Sequence, residues 1–398
     1  MKNILIISQY YNPEPFLINE VVESLKEKGY KLTVLTGVPN YPEGEIYKGY
    51  KAGITKFHNK EIIRVNARPR KKGKINLFLN YISFAFKGSI EVMKMKDKYD
   101  VLYVYQLSPV LMAIPAILYK VRFKKKIVLY CLDLWPQSLV SGGIKNSSAI
   151  YKMFLIISKY IYKKIDIIQI SSSLFEKYFR EELNIKKKLN YVPQYANDLF
   201  LFPKKKINIK IDSENVNLMF AGNLGEMQSI ETVIKAINLM TYKKVKLHIL
   251  GEGSNKESLI QFVNELNLGD RVLFYGRKPM ESMPSYYQKA DALIVSLKKD
   301  EIISYTLPGK VQSYMASGKP LIGSIDGEAS NIINEANCGL VSQAEDSKSL
   351  AENFDKFCYM EQKEKERLGE NGKNFYKENF TKEIFMNSLI KDLKGASK

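Results

Sequence analysis

Two stretches of the sequence join a glycine turn to groups that attract anions. In the first, the apolar run Leu218-Met219-Phe220-Ala221 stops at Gly222-Asn223-Leu224-Gly225, and helical spacing follows at Ile230, Val233, Ile234 and Ile237. A buried strand ending in such a turn, with a helix starting near Glu226 to Ser229, aims free N–H groups and about half a positive charge at whatever precedes the helix. Glycines at 222 and 225 let an oxygen-rich ligand approach the backbone; a plain strand–helix connection is the other reading. In the second stretch, "SYTLPGKVQSYMASGKP" from Ser304 to Pro320, a Pro-Gly turn leads into a helix whose second or third residue is Lys310. An ammonium at a helix start opposes the dipole, so local stability disfavours it there. A bound diphosphate reverses that balance.

Other chemistries lack their signatures. The dinucleotide pattern G-x-G-x-x-G does not occur: after Gly251-Glu252-Gly253, position 256 is Lys256. That weakens a nicotinamide or flavin reading. Cys131, Cys338 and Cys358 are far apart, which argues against a zinc site or a disulfide scaffold. No Asp-x-Asp exists to bridge a metal to a diphosphate, so no metal is expected. Asp133 and Glu14 are the two acids expected at strand ends in the first half of the chain. Asp133 also reads as a helix N-cap.

The elements that position these residues alternate. The first half reads as strands at Asn3 to Ser8, Lys31 to Thr36, Val101 to Tyr105, Lys126 to Leu132 and Ile165 to Ile170, with helices between, the first at Ile18 to Lys28. The second half restarts at Leu218 to Ala221, Lys246 to Leu250, Val272 to Tyr275, Ala292 to Ser296, Pro320 to Gly323 and Gly339 to Ser342. This rhythm predicts an α/β protein of two Rossmann-like, doubly wound domains facing a cleft, with ligands at the carboxyl ends of the strands. A chain of 398 residues suits two such domains. The linker falls near Val192 to Phe202. The domains are expected at 1–195 and 196–374, with the C-terminal helix, 375–398, packing back on the first. Met1 to Ile7 reads as a strand, because its apolar stretch is too short for a signal peptide. No run of about 18 apolar residues predicts a spanning helix.

Charge divides the halves. Residues 1–200 hold 33 Lys/Arg and 16 Asp/Glu, while residues 201–398 hold 28 and 26. A one-sided positive field suggests an anionic surface or ligand facing the first half. No nucleic-acid-binding pattern is present, so nucleic acid is not expected. The segment "RVNARPRKKGKINLFLNYISFAFKGSIEVMKMK" joins a basic loop, Arg64 to Lys74, to a helix with Phe78, Tyr81, Phe84 and Phe86. It suits an anionic bilayer interface; a helix covering the sheet beside a solvated loop is the alternative.

The motifs in order are G-N-L-G-E-x-Q, G-E-G after a strand, F-Y-G-R, then M-P-x-x-Y-x-x-A-D. L-P-G-K-x-x-x-Y-M-A-S-G-K-P follows, and Gly327-Glu328 leads to Cys338-Gly339-Leu340. With "YNPEPFLINEVVESLKEKGYKLTVLTGVPNYPEG" and "DLWPQS" in the first half, the chain resembles the retaining nucleotide-sugar glycosyltransferases of family 4. These have the GT-B fold, and the resemblance is to the bacterial surface-polysaccharide branch labelled L-fucosamine transferases. It covers nearly the whole chain. It implies a UDP-sugar donor on the second domain, with no further cofactor. The implied acceptor is an undecaprenyl-diphosphate-linked sugar at the cytoplasmic face of an anionic membrane. The donor residues it implies are Gly222, Asn223, Leu224, Gly225, Arg277, Lys310, Ser313, Glu328 and Ala329; the catalytic candidates are Lys310 and the strand-end acids Asp133 and Glu14, either of which could orient the acceptor hydroxyl.

The sequence departs from the family where two glutamates stand eight positions apart, since Tyr305 and Ser313 occupy those places. A family histidine is replaced at Leu132-Asp133, and neither His58 nor His248 is a natural substitute. A UDP-sugar 2-epimerase of the same fold would need several carboxylates and histidines, and the chain's two histidines count against it. A non-catalytic nucleotide-sugar-binding partner is the third reading.

Overall fold

In the computed structural model, strands β1 (Asn3–Ile7), β2 (Lys31–Gly37), β5 (Val101–Gln106) and β6 (Ile127–Cys131) are almost wholly buried. Their near-continuous apolar runs suit parallel strands covered on both faces. With β3 (Gly53–Phe57), β4 (Lys60–Val65), β7 (Ile167–Ile170) and β8 (Leu189–Tyr191) they form one sheet in the order β3-β4-β2-β1-β5-β6-β7-β8. All pairs are parallel except β3–β4. The second sheet runs β11-β10-β9-β12-β13-β14 and is parallel throughout. Its strands are β9 (Val216–Ala221), β10 (Val245–Leu250), β11 (Val272–Gly276), β12 (Ala292–Ser296), β13 (Leu321–Ser324) and β14 (Gly339–Ser342). The structure describes residues 2–42, 44–57, 60–71, 73–141, 143–203, 211–212 and 214–397. The sequence readings of His58 and of Lys72 in the basic loop lie outside them.

The chain thus builds two Rossmann-like α/β units. One comprises Met1–Val192 with Met386–Lys398, the other Pro193–Phe385. Two buried clusters make the core of the second unit. Met219, Leu293 and Tyr314 belong to one, and Leu218, Ile234 and Leu247 to the other. Neighbouring residues of β9 enter opposite clusters because side chains alternate along a strand.

Three differences from the sequence reading have local causes. The β3–β4 hairpin went unread because every residue of β3 is exposed, so no buried face marks it. The C-terminal helix, expected over 375–398, is Lys382–Ala396, because the Gln362–Asn379 helix runs on to Asn379, the residue at which the sequence reads as dividing this stretch. The helix expected near Glu226 to Ser229 begins at Ile230. Before it lie a 3-10 turn, Glu226–Gln228, and Ser229 at φ 48°, a left-handed residue that separates the two. Among the described residues, no helix is long and apolar enough to cross a membrane.

Candidate functional site

The carboxyl ends of β9, β10 and β11 meet the start of the Gly309–Ala316 helix around a cavity of about 470 Å³. Gly222 and Asn223 follow β9, Gly251 and Glu252 follow β10, and Arg277 and Lys278 follow β11. Gly309, Lys310 and Ser313 come from the helix. Five of the nine residues expected to hold a donor therefore line one space: Gly222, Asn223, Arg277, Lys310 and Ser313.

Lys310 is the site's most unusual group. Its ammonium stands 4.1 Å from the centre of the Phe220 ring and donates to the side-chain oxygen of Gln228. A Cβ on Gly222 would come within 3.2 Å of that ammonium, so the glycine leaves the lysine its room. Burial strips water from the charge and pushes the lysine down to about 7. In the empty protein the charge costs stability. The folded value lies below the ordinary lysine value, so the cost is fully present below about pH 7 and relieved as pH rises above it. Among the described residues no carboxylate pairs with Lys310, and a cation so held in a cavity suits an anionic ligand.

The glycine turn works differently from the sequence expectation. The Gly222 amide donates to Leu250 O and the Leu224 amide to Glu252 O, each at 2.9 Å, while Asn255 donates to Leu224 O. These groups knit the turn after β9 to the turn after β10 and are not free for an anion. Leu224 is fully buried, and Gly225 lies off the cavity wall. The helix terminus that reaches the cavity is that of Gly309–Ala316, not the one after Gly225.

Glu328 and Ala329 open the Gly327–Glu335 helix, buried to 1% and 0% exposure, and they too lie off the cavity wall. Ser313 donates to the carbonyls of Gly309 and Lys310, at 3.2 and 3.1 Å. Tyr305 donates to the Glu301 carboxylate at 2.7 Å. His248 is locked between the Tyr275 hydroxyl and the Asn217 amide oxygen, 2.9 Å from each, and burial pushes it down to about 4. It is a neutral core residue.

Sequence reasoning missed the cavity's apolar side. Tyr195, Asn197 and Phe200 come from the stretch read as linker, and Met280, Met283 and Tyr287 lie after β11. Phe200 and Tyr287 stack at 5.3 Å with an interplanar angle of 12°. The irregular linker has no periodicity to announce Tyr195 and Phe200, while Met283 and Tyr287, in the Met283–Lys289 helix, read as ordinary apolar helix residues.

The two acids of the first unit differ sharply. Asp133, after β6, accepts from the Ser138 hydroxyl and, at 3.1 Å, from the Trp135 indole. Desolvation raises it to about 6, while hydrogen bonds from Ser138, Ser108 and Trp135 oppose the rise. A carboxyl poised there can orient a hydroxyl and exchange its proton near neutrality. Glu14 is buried and accepts three backbone N–H groups: Asn40 and Tyr41 at 2.8 Å and Tyr11 at 3.2 Å. Burial raises its pKa against those bonds. Its carboxylate clamps two loops, a structural task the sequence reading did not foresee. Among the described residues, no three His, Cys, Asp or Glu side chains gather as a metal site.

Residues 202–375 match the family described as glycosyl transferases group 1. The chain is 26% identical to a probable glycosyltransferase, WbjE, of Pseudomonas aeruginosa, over 63% of this chain and 64% of that protein. The match thus spans just under two thirds of that relative's length. It is 20% identical to the protein named putative colanic acid biosynthesis glycosyl transferase WcaI of Escherichia coli (strain K12), over 79% of this chain and 81% of that one. The crystal structure of Anabaena Alr3699/HepE in complex with UDP superposes with a TM-score of 0.67 at 12% identity, covering 99% of this chain and 100% of that one. The fold is that of the GT-B glycosyltransferases, and the stretch that matches the group 1 family lies within the second unit.

Proposed function

We propose that the chain is a retaining, metal-independent glycosyltransferase of surface-polysaccharide synthesis. It moves a sugar from a UDP-sugar to a lipid-diphosphate-linked glycan at the cytoplasmic face of an anionic membrane. The observation that carries this reading is the cavity after β9, β10 and β11, with Lys310 and Arg277 both in its wall. The UDP bound in HepE and the polysaccharide role in the name of WcaI support it. A donor without a 6-hydroxyl, such as an N-acetylfucosamine-type sugar, fits the absence of the family histidine at Leu132-Asp133.

Transfer breaks the bond between the anomeric carbon and the diphosphate oxygen. Negative charge grows on that oxygen while the sugar becomes oxocarbenium-like. Lys310 and Arg277 stabilise the departing diphosphate, which is the largest task in such a step. The acceptor hydroxyl attacks from the side the diphosphate leaves, and its proton passes to a diphosphate oxygen. Asp133 orients the acceptor hydroxyl. Glu14 holds the loops of the acceptor unit.

The purified protein, supplied with a panel of UDP-sugars and a lipid-diphosphate acceptor, is expected to release UDP only when the acceptor is present. Chelator leaves the rate unchanged. Turnover of UDP-N-acetylglucosamine alone would instead identify an epimerase, and no UDP release with any donor would leave a binding protein. Proton linkage gives a further prediction. Diphosphate binding restores the Lys310 charge, so UDP binding takes up about half a proton near pH 7 and nearly one at higher pH. Affinity therefore falls as pH rises above about 7. Calorimetry in buffers of different ionisation heat reads the uptake; pH-independent binding would remove Lys310 from the phosphate.

A further inference from the structure

One face of the first unit is apolar on its outside. The Lys74–Lys94, Ile114–Phe123 and Ala149–Lys164 helices pack together as a layer. An edge-to-face contact of Phe78 with Phe154 at 5.7 Å ties the outer two helices, and Trp135 meets Phe154 at the same distance. Inward, Phe84, Tyr151, Phe154 and Ile161 are buried. Outward, the first helix shows Phe78, Ile82, Phe86, Ile90 and Met93, each 36% exposed or more. Spacings of four, four, four and three put them in one stripe. The third helix shows Ile150, Met153, Ile156 and Tyr160, 47–70% exposed. The two stripes lie on joined helices and exceed the scattered exposure a soluble surface normally carries.

The charges beside them are mostly of one sign: the first helix has a single acid, Glu91, paired with its own Lys94 at 2.9 Å. Residues 101–164 carry ten Lys/Arg and a single acid, the part-buried Asp133. Lys152 and Lys159 sit within the outward stripe of the third helix, which has no acid at all. That pattern selects the occupant. A second copy meeting this face through a two-fold axis would set these lysines against their own images. Nucleic acid would satisfy the lysines and leave the Phe and Ile stripes in water. An anionic bilayer satisfies both, with apolar side chains in the acyl boundary and ammonium groups among headgroup phosphates.

We infer that the outward face of the Lys74–Lys94 and Ala149–Lys164 helices is the membrane-docking surface of the chain, fitted to anionic lipid. The inference deepens the membrane part of the proposed function and rests on it. Both helices begin on the carboxyl side of their sheet, the side of Asp133, so docking by this face leaves that edge open to a lipid-borne acceptor.

The test is co-sedimentation of the full chain with phosphatidylcholine vesicles, with and without phosphatidylglycerol. The wild type is expected to bind only the anionic vesicles. Phe86→Ser/Ile156→Ser and Lys152→Glu/Lys159→Glu each weaken that binding about tenfold or more, and UDP affinity does not change. Equal binding by wild type and both variants would overturn the assignment. So would a wild-type dimer that Phe86→Ser/Ile156→Ser converts to monomer, because a second copy would then cover the face. Vesicle binding without any UDP binding would sink the proposed enzyme and leave this face standing.

Discussion

Lys310→Ala lowers kcat/KM by about 10²–10³-fold, as expected for removing a preorganised charge from a leaving group. The loss falls mainly on kcat, because negative charge on the diphosphate oxygen grows as the bond breaks and the lysine meets most of it in the transition state. The fold survives. The Lys310 ammonium has Gln228 and the Phe220 ring as its contacts, and burial already holds it down to about 7. Removing a desolvated charge relieves a cost, so the melting temperature of the empty variant at pH 6 equals or exceeds that of the wild type. Lys310→Met, which keeps the stem against Phe220, separates packing from charge: it loses activity as alanine does. Steady-state kinetics by UDP release and a thermal melt check both halves. Activity within twofold of wild type in either variant would take Lys310 out of the chemistry.

Much of this site was readable from the chain, and what was not has definite physical causes. Strand ends are marked where apolar runs stop at glycine, which places Gly222 and Arg277 at a sheet edge from sequence alone. Lys310 was conspicuous because it contradicts the helix dipole. Hydrogen bonds of the backbone leave no such trace. Nothing in Gly222-Asn223-Leu224-Gly225 states that two of its amides are committed to the turn after β10. The left-handed Ser229 delays the helix, and serine carries no strong signal for that conformation. Glu14 reads as a catalytic acid because it is a carboxylate near a strand end, yet three N–H groups claim it, Tyr11 from its own loop and Asn40 and Tyr41 from a distant one. Phe200 and Tyr287 stack across 87 positions of sequence, a distance over which periodicity says nothing.

Gly251→Ala should disable the second unit from a position that only shares a wall with the ligand. Gly251 has φ +145°, a conformation that side chains rarely adopt. A Cβ built there would stand 1.7 Å from Gly222 O, far inside contact distance. The turn after β10 must then retreat from the turn after β9. That breaks the Gly222 amide bond to Leu250 O and the Leu224 amide bond to Glu252 O. The cost combines about 1–3 kcal/mol of backbone strain with about 1 kcal/mol for each lost hydrogen bond. Gly222 moves with its turn, and the space it leaves for the Lys310 ammonium changes shape. Gly251→Ala is therefore expected to lower the melting temperature of the second unit and to weaken UDP binding together. Gly269→Ala is the control, since its Cβ would meet nothing within 4 Å, and it should leave both unchanged. The pairing of effects is the point of the test. Loss of stability with normal UDP affinity would show that the two turns are joined for folding alone, and that the phosphate end of the cavity is set elsewhere.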